Sequence, residues 1–202
     1  MTIRLLLADD QALVRGALSA LLQMEPDLEV VAEVGSGDAA VRASAEHTPD
    51  VALLDIEMPV LDGIAATAQI RALSPATRVL IVTTFGRPGY LRRALQAGAS
   101  GFIVKDTPSA QLADAVRRVH AGLRVVDPGL AADSLVSGES PLTARESDVL
   151  RAARDGASVA LIARDLSLSP GTVRNHLSAA IGKTGAGNRA GAVLAAESNG
   201  WL

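Results

Sequence analysis

The first 121 residues alternate between short apolar runs and longer segments in which apolar residues recur every three or four positions. Apolar runs of about four to eight residues are typical of strands, and the longer pattern is typical of amphipathic helices. The runs predict strands at residues 3–8, 28–34, 51–54, 79–82 and 101–104. The segments between and after them predict helices near residues 11–23, 38–46, 63–72, 88–97 and 109–121. Five strand–helix units in this order predict an α/β fold, a parallel sheet with helices on both faces.

The pattern changes after residue 122, where turn residues such as Asp127-Pro128-Gly129 interrupt the periodicity. We therefore predict a first domain at residues 1–122, a linker at residues 123–140 and a second domain at residues 141–202. The second domain shows only helical patterns, near residues 143–155, 158–165, 169–183 and 188–198. Thr143 with Glu146 forms a capping box, and Ser169 precedes a Pro at the first helical position. A small all-α four-helix domain is expected.

The composition excludes several classes of protein. At 202 residues the chain has room for one large or two small domains, and 49% of its residues are hydrophobic. Because it has no cysteine, disulfides, zinc–thiolate sites and cysteine nucleophiles are excluded. No apolar run approaches the roughly 18 residues of a membrane span, and the N-terminus does not resemble a signal peptide. A cytoplasmic protein without direct membrane contact is expected.

The net charge of −3 is unevenly divided between the two predicted domains. Seven of the 19 basic and five of the 22 acidic residues fall at or after residue 141, so the second domain carries +2 and the remainder −5. An acidic first part fits a metal-binding module, and a mildly basic second part fits an anion-binding one. The basic excess is too small to establish nucleic-acid binding by itself.

Polar residues directly follow or end four of the predicted strands. Asp9 and Asp10 follow the first strand, Asp55 the third, Thr83 the fourth and Lys105 the fifth. Because ligands of open parallel sheets bind beyond the carboxyl ends of the strands, we expect these side chains to share one pocket. Three carboxylates, one hydroxyl and one ammonium suit a divalent cation and a phosphoryl group.

The residue types suggest a role for each member of this pocket. Asp55 would be the nucleophile, since carboxylates form aspartyl-phosphate intermediates. Asp10 and Asp55 would hold Mg²⁺, with Asp9 binding the metal directly or through water. Glu57 would offer its backbone carbonyl to the same ion. Lys105 would pair with a phosphoryl oxygen.

Thr83 would donate a hydrogen bond to the same phosphoryl group. Taken singly, these features have ordinary structural interpretations: an Asp pair caps helices, a lone Lys is a solvated charge, and Thr favours strands. Their joint placement at the ends of four strands favours the phosphoryl site.

Residues 1–122 resemble the receiver domain of bacterial response regulators, through the strings LLADDQ, LLDIEMPVLDG, VTTF and GASGFIVKD. The resemblance implies a flavodoxin-like (βα)5 domain that accepts phosphate on Asp55 from a sensor histidine kinase. It places Asp9 and Asp10 on the acidic Mg²⁺ pair, and Thr83 and Phe102 on the switch hydroxyl and switch aromatic. A static core role for Phe102 also fits. The chain departs from many receivers in having Asp106, rather than Pro, after the site lysine.

The second domain contains a helix, a tight turn and a second helix, the pattern of a helix-turn-helix. In the second helix, Val173, Leu177 and Ile181 would pack inward. On the opposite side, Arg and Asn side chains can read guanine and adenine in a major groove, and small polar or basic residues near the helix ends suit phosphate contacts. The candidate DNA-binding residues are Thr172, Arg174, Asn175, Ser178 and Lys183. A small helical bundle with a solvated polar face fits this geometry equally well.

Residues 141–202 look like the DNA-binding domain of the NarL/FixJ family, which is of the LuxR type, through LTARESDVL, IARDLSLSPGTVRNHLS and NRAGAV. The resemblance implies a recognition helix that begins near Ser169, a final helix that contacts a second copy, and a homodimer that binds promoter DNA upon phosphorylation. Arg174, Asn175 and Ser178 fall on base-facing positions, although Ser178 replaces a basic residue that is common there. Half-sites about 34–36 Å apart are expected.

The string TTFGRPGYLRRALQAGASGFIVKD most resembles a DesR-like subgroup, which implies that the partner kinase is an integral membrane sensor. Pairing through the first and last receiver helices and pairing through the helix after Thr83 both remain open. The alternatives to a phosphorylation-controlled DNA-binding regulator are a regulator that acts without phosphorylation and a protein-interaction switch. We do not expect an enzyme: a metal-dependent phosphatase commonly has a second catalytic Asp where Glu57 stands.

Overall fold

The computed structural model describes residues 2–84, 88–131 and 140–202, which divide into two compact units. The first unit holds all the described strands, and the second holds the last four helices. Residues 132–139, which make up much of the predicted linker, lie outside the described residues.

The first unit is a parallel six-stranded sheet with the strand order β2-β1-β3-β4-β5-β6. Its strands are β1 (Ile3–Ala8), β2 (Leu28–Val34), β3 (Val51–Leu54), β4 (Arg78–Thr83), β5 (Gly101–Val104) and β6 (Val125–Val126). The helices are α1 (Ala12–Gln23), α2 (Gly37–His47), α3 (Gly63–Leu73), α4 (Pro88–Gln96) and α5 (Ser109–His120). The predicted fold class is confirmed, and all five predicted strands are present.

The sixth strand, β6, was not predicted from the sequence. It consists of two residues in a segment without periodicity, and it pairs with β5 at the sheet edge. The N–H of Val125 donates to the carbonyl of Ser100 at 3.1 Å, and the N–H of Asp127 donates to that of Phe102 at 3.3 Å. Two residues are too few to show the alternation by which strands are recognised in sequence.

The core of the first unit lies on both faces of the sheet. Leu22 of α1 and Val116 of α5 belong to one buried cluster with Leu5, Leu53 and other strand residues that point to the same face. The intervening strand residues point to the opposite face, since successive side chains of a strand alternate. Both faces are covered, which explains why the central strands read as continuous apolar runs.

The second unit is entirely helical in the residues that the structure describes. Its helices are α6 (Ala144–Ala152), α7 (Val159–Asp165), α8 (Pro170–Thr184) and α9 (Arg189–Ser198). Each begins at a side chain that accepts a hydrogen bond from the first helical turn, and these caps are Thr143, Ser158, Ser169 and Asn188. The predicted capping box of Thr143 and Glu146 is confirmed.

The turn between α7 and α8 is tight because Ser167 adopts the left-handed conformation, with a φ of 54°. The two helices that flank this turn pack around Ile162, Val173 and Leu177 in a single buried cluster. None of the helices in the described ranges combines the length and the apolar character that a membrane crossing requires.

Candidate functional site

The carboxyl ends of β1, β3, β4 and β5 lie side by side in the sheet and carry the predicted site residues. Backbone hydrogen bonds extend the pairing just past the strand ends. The N–H of Asp55 donates to the carbonyl of Ala8 at 2.8 Å, and the N–H of Lys105 donates to that of Thr83, also at 2.8 Å. The sheet itself thus holds Asp55 beside β1 and Lys105 beside β4, at the edge where α/β folds bind ligands.

Three carboxylates converge at this edge. One oxygen each from Asp9, Asp10 and Asp55 lies within 4.8 Å of the others. The side chains of Asp9 and Asp55 are buried, whereas Asp10 is exposed at the mouth of the cluster. Gathering three like charges is unfavourable unless a cation neutralises them, and hard oxygen ligands in this number suit Mg²⁺.

Lys105 is the cation that the chain itself supplies. Its Nζ lies 2.7 Å from Asp9 Oδ2 and 2.9 Å from Asp55 Oδ2, and only 9% of its side chain is exposed. Burial lowers the pKa of Lys105, but the hydrogen bonds with Asp9 and Asp55 more than offset this effect and raise the pKa above its ordinary value of 10.5. Lys105 is therefore charged, and one ammonium faces three carboxylates. A further cation is needed for neutrality.

The backbone after β3 holds the Asp55 carboxylate in place. Asp55 Oδ1 accepts a hydrogen bond from the N–H of Ile56 at 2.7 Å. Helix α3 begins very close to this turn, since a Cβ added to Gly63 would lie 1.9 Å from the Asp55 carbonyl oxygen. Asp62 caps α3 through the N–H of Ala65 at 2.7 Å. The Gly at the end of the string LLDIEMPVLDG thus permits the close approach of α3 to the site.

The other predicted residues of the first unit occupy three different settings. Thr83 is the last residue of β4 and is completely buried. Phe102 is also completely buried, on β5 beside Ile81 of β4, a position that suits either an inward-turned switch residue or a static core residue. Glu57 is exposed, and its side chain is not part of the carboxylate cluster.

One residue near the site was missed by the sequence reasoning. Arg15 lies on α1, and its Nη1 donates to the backbone carbonyl of Asp9 at 2.6 Å. Its Nε lies 3.9 Å from Glu33 Oε2 on β2. The signal available in the sequence was that Arg15 is the only charged residue in α1.

In the second unit, α8 presents its polar residues as predicted. Val173 and Leu177 are buried against the other helices, and Ile181 packs against the same cluster. The side chains of Arg174, Asn175 and Ser178 lie on the exposed side of the helix.

Thr172 lies in the first turn of α8 and is partly exposed. Its hydroxyl lies 2.8 Å from the hydroxyl of Ser169, and its N–H donates to Ser169 Oγ at 3.0 Å. The side chain is therefore engaged with the helix cap.

Lys183 has a different environment from the one predicted. Its Nζ donates to both carboxylate oxygens of Glu146, at 3.0 and 2.8 Å. Glu146 is 5% exposed and also accepts the N–H of Thr143 at 2.7 Å. The hydrogen bond with Lys183, followed by those with Thr143, lowers the pKa of Glu146 although burial opposes the shift. A phosphate contact by Lys183, which stays a prediction, would have to compete with this pair.

Most basic residues of the second unit are already engaged inside it. Arg145 and Arg151 pair with Asp148, Arg154 with Glu197, Arg164 with Asp165, and Arg189 donates to the carbonyl of Ala157. Among the basic residues at positions 140–202, and within the described residues, Arg174 alone has no ion pair or hydrogen bond of its side chain. The positive charge available to an external anion is thus concentrated on α8.

Comparison with protein families matches both parts of the chain. Residues 5–117 match the response regulator receiver domain, and residues 140–196 match the bacterial regulatory proteins of the luxR family. Together the two matches cover most of the chain.

Individual proteins are similar over nearly the whole length. The uncharacterized transcriptional regulatory protein YvfU of Bacillus subtilis (strain 168) is 42% identical over 200 residues, which cover 99% of this chain and 100% of that protein. The transcriptional regulatory protein DesR of the same organism is 41% identical over 99% of both chains. The crystal structure of the response regulator ChrA from a heme-sensing two-component system has a TM-score of 0.60 at 33% identity, and covers 100% of this chain and 99% of that one.

Proposed function

The chain belongs to the two-component response regulators that join a receiver domain to a LuxR-type DNA-binding domain, and we propose that phosphorylation of Asp55 controls its binding to promoter DNA. The observation that carries the proposal is the contact of one ammonium, on Lys105, with both Asp9 and Asp55 inside a cluster of three carboxylates. A structural ion pair needs one carboxylate per ammonium. Two further carboxylates at the same place favour a site for a cation and a phosphoryl group.

The proposed step is the transfer of a phosphoryl group from a sensor histidine kinase. An oxygen of the Asp55 carboxylate attacks phosphorus, the P–N bond of the phosphohistidine breaks, and the electron pair of that bond leaves with the imidazole. Asp9, Asp10 and Asp55, with the carbonyl of Glu57, would hold Mg²⁺, which supplies charge neutralisation for two approaching anions. Lys105 can follow the transferred group, since its flexible side chain already contacts Asp55.

The buried hydroxyl of Thr83 then donates a hydrogen bond to a phosphoryl oxygen. The Phe102 ring either turns inward as Thr83 moves or already occupies the inward position. This change favours a state of the receiver that exists before phosphorylation. We infer that the favoured state is a homodimer, formed through α1 and α5 or through α4, with α9 as a contact between DNA-binding domains. We place the protein in the cytoplasm, with an integral membrane sensor as its kinase, and as a regulator rather than an enzyme.

On DNA, α8 would enter the major groove. Arg174 would read a guanine bidentately, Asn175 an adenine, and Ser178 a neighbouring base. Thr172 and the N–H groups of the first turn suit phosphate oxygens. Because Arg174 is, among the described residues of the helical domain, the one Lys or Arg side chain that is not already engaged, affinity should depend heavily on dimerisation. Two half-sites about one helical turn apart are expected.

The first experiment is the intact mass of the full-length protein after incubation with acetyl phosphate and Mg²⁺. Wild type should gain one phosphoryl group, Asp55→Ala should gain none, and Asp106→Ala, which alters an exposed carboxylate next to Lys105, should behave as wild type. A gain in Asp55→Ala equal to that of wild type would contradict the assignment of Asp55.

The second experiment measures binding to a DNA fragment selected by the phosphorylated protein from a random-sequence pool. Arg174→Ala should weaken binding by about 1–3 kcal/mol, while the matched control Arg151→Ala, whose side chain pairs with Asp148, should change it little. Equal affinity with and without phosphorylation would favour a regulator that acts without it. Absence of salt-dependent DNA binding would favour a protein-interaction switch.

A further inference from the structure

Arg15 forms a bridge between the carboxylate cluster and β2. Its Nη1 binds the carbonyl oxygen of Asp9 at 2.6 Å, and its Nε lies 3.9 Å from Glu33. Glu33 is held in turn, because Ser19 Oγ donates to its other carboxylate oxygen at 2.7 Å and Gln23 donates to Ser19 at 2.9 Å. Only 21% of the Arg15 side chain is exposed. The guanidinium is therefore held by a short hydrogen bond at one end and by a longer ion-pair contact at the other.

Arg15 supplies the hydrogen-bond partner of the Asp9 carbonyl, and other groups hold the remaining polar atoms of Asp9. The N–H of Asp9 donates to Val34 at 3.1 Å, and Asp9 Oδ1 accepts the N–H of Gln11 at 2.9 Å. Asp9 Oδ2 contacts Lys105 at 2.7 Å. The N–H and Oδ1 of Asp9 thus have hydrogen-bond partners and Oδ2 has an ion pair, while the carbonyl depends on Arg15 alone among the described residues.

The carbonyl of Asp9 belongs to the same planar peptide unit as the N–H of Asp10. Fixing this oxygen fixes the plane from which the Asp10 side chain projects. Asp10 is exposed, and its carboxylate makes no hydrogen bond or ion pair within the described residues. The backbone therefore sets the point and the range of directions from which the Asp10 carboxylate can reach the cluster, and Arg15 helps to hold that backbone.

We propose that Arg15 is a positioning residue for the cation site, acting by orienting the Asp9–Asp10 peptide so that the Asp10 carboxylate faces Asp55. Arg15 binds a carbonyl rather than a carboxylate oxygen, so a cation held by the three carboxylates leaves this bond intact. Glu33 adds a longer-range electrostatic attraction that favours this position of the guanidinium. This inference rests on the proposed function, because it assigns Arg15 to the metal site of that function.

The test is the dissociation constant for Mg²⁺ alone, measured on the full-length protein from the backbone amide chemical shifts of Asp10 and Lys105. Groups that orient metal ligands typically change metal affinity by about 10–100-fold when removed. Arg15→Gln should raise the dissociation constant for Mg²⁺ by about tenfold or more. Arg15→Lys, which keeps a cationic donor, should lie between wild type and Arg15→Gln, and Glu33→Gln should produce a smaller increase.

The matched control is Arg42→Gln, which removes an exposed guanidinium paired with Asp38 on α2 and should leave the Mg²⁺ affinity unchanged. Urea unfolding without Mg²⁺ separates positioning from stability, since a purely structural Arg15 would shift unfolding and leave the affinity for Mg²⁺ as in wild type. That result would overturn the proposal. If Arg15→Gln does not fold, wild-type affinity in both Arg15→Lys and Glu33→Gln would overturn it. If wild type itself shows no saturable Mg²⁺ shift, the metal site of the proposed function fails as well.

Discussion

The chain contains two lysines, one in each domain, and their surroundings differ in one decisive respect. Lys105 of the receiver lies between Asp9 and Asp55, with Asp10 completing a cluster of three carboxylates. Lys183 of the helical domain faces the single carboxylate of Glu146. A cluster of three carboxylates therefore faces the Lys105 ammonium, whereas a single carboxylate faces the Lys183 ammonium.

In the helical domain, the negative charge of Glu146 is balanced by the positive charge of Lys183. Glu146 uses its oxygens for Lys183 and for the N–H of Thr143, so no charge is left for a ligand. A residual negative charge thus distinguishes the proposed phosphoryl site from the balanced ion pair of the helical domain. This distinction can be tested in each domain, because the one Trp of the chain, Trp201, lets the unfolding of the helical domain be observed separately by fluorescence.

The largest effect is expected from Lys105→Met. The substitution leaves two buried carboxylates without their cation, and breaking a buried ion pair from one side costs about 3–5 kcal/mol. The receiver should lose this much free energy of unfolding without divalent cations, as measured by hydrogen exchange of peptides from β1 and β3. The Trp201 transition in urea should be unchanged. Unaltered exchange would show that the cluster does not need its ammonium.

Mg²⁺ should stabilise one domain and not the other. At about 100 times its dissociation constant, a ligand that binds only the native state adds about 2.7 kcal/mol to the free energy of unfolding. Exchange of the receiver peptides should slow accordingly, and the Trp201 transition should not move. The reverse pattern, or an equal shift in both domains, would remove the distinction between the two lysine sites.

Glu146→Gln should destabilise the helical domain by about 1–2 kcal/mol, because a charge-assisted hydrogen bond is lost while the amide keeps part of the cap. The pKa of Glu146 is lowered in the folded state, so the stability from its charge is present above the ordinary pKa of 4.5 and is lost as the pH falls through the folded pKa. The difference between wild type and variant in Trp201 urea titrations should therefore be full at pH 7 and shrink below about pH 4.5. A difference that does not depend on pH would contradict the ion pair.

The smallest effect is expected from Asp10→Asn. This substitution removes one of three like charges, so the receiver should become more stable by less than about 1 kcal/mol, since Asp10 is exposed and its interactions are screened by solvent. Residues that destabilise a fold but serve a function typically behave this way. The readout is hydrogen exchange of β1 without Mg²⁺, and destabilisation would mean that Asp10 has a structural partner. Glu146→Gln is the contrasting variant, because it should lower the free energy of unfolding of the helical domain rather than raise it.

The positions of Asp9, Asp10, Asp55, Thr83 and Lys105 at one edge were determined by the sequence alone. Each follows or ends an apolar run, and parallel strands necessarily bring their carboxyl ends to the same edge. The two-domain division into an α/β unit and a helical unit, and the caps of the helices, were also readable, because they depend on local periodicity and on side chains within one turn.

Other features were decided only by the tertiary structure. Arg15 binds a backbone carbonyl, and a carbonyl carries no sequence signal because every residue has one. Lys183 and Glu146 lie 37 positions apart, and only the packing of α6 against α8 brings them together. The strand β6 exists because β5 offers a free edge. Local sequence patterns therefore predicted where the charged side chains lie, because they depend only on neighbouring residues. Long-range packing decided which of those side chains already have a partner within the protein.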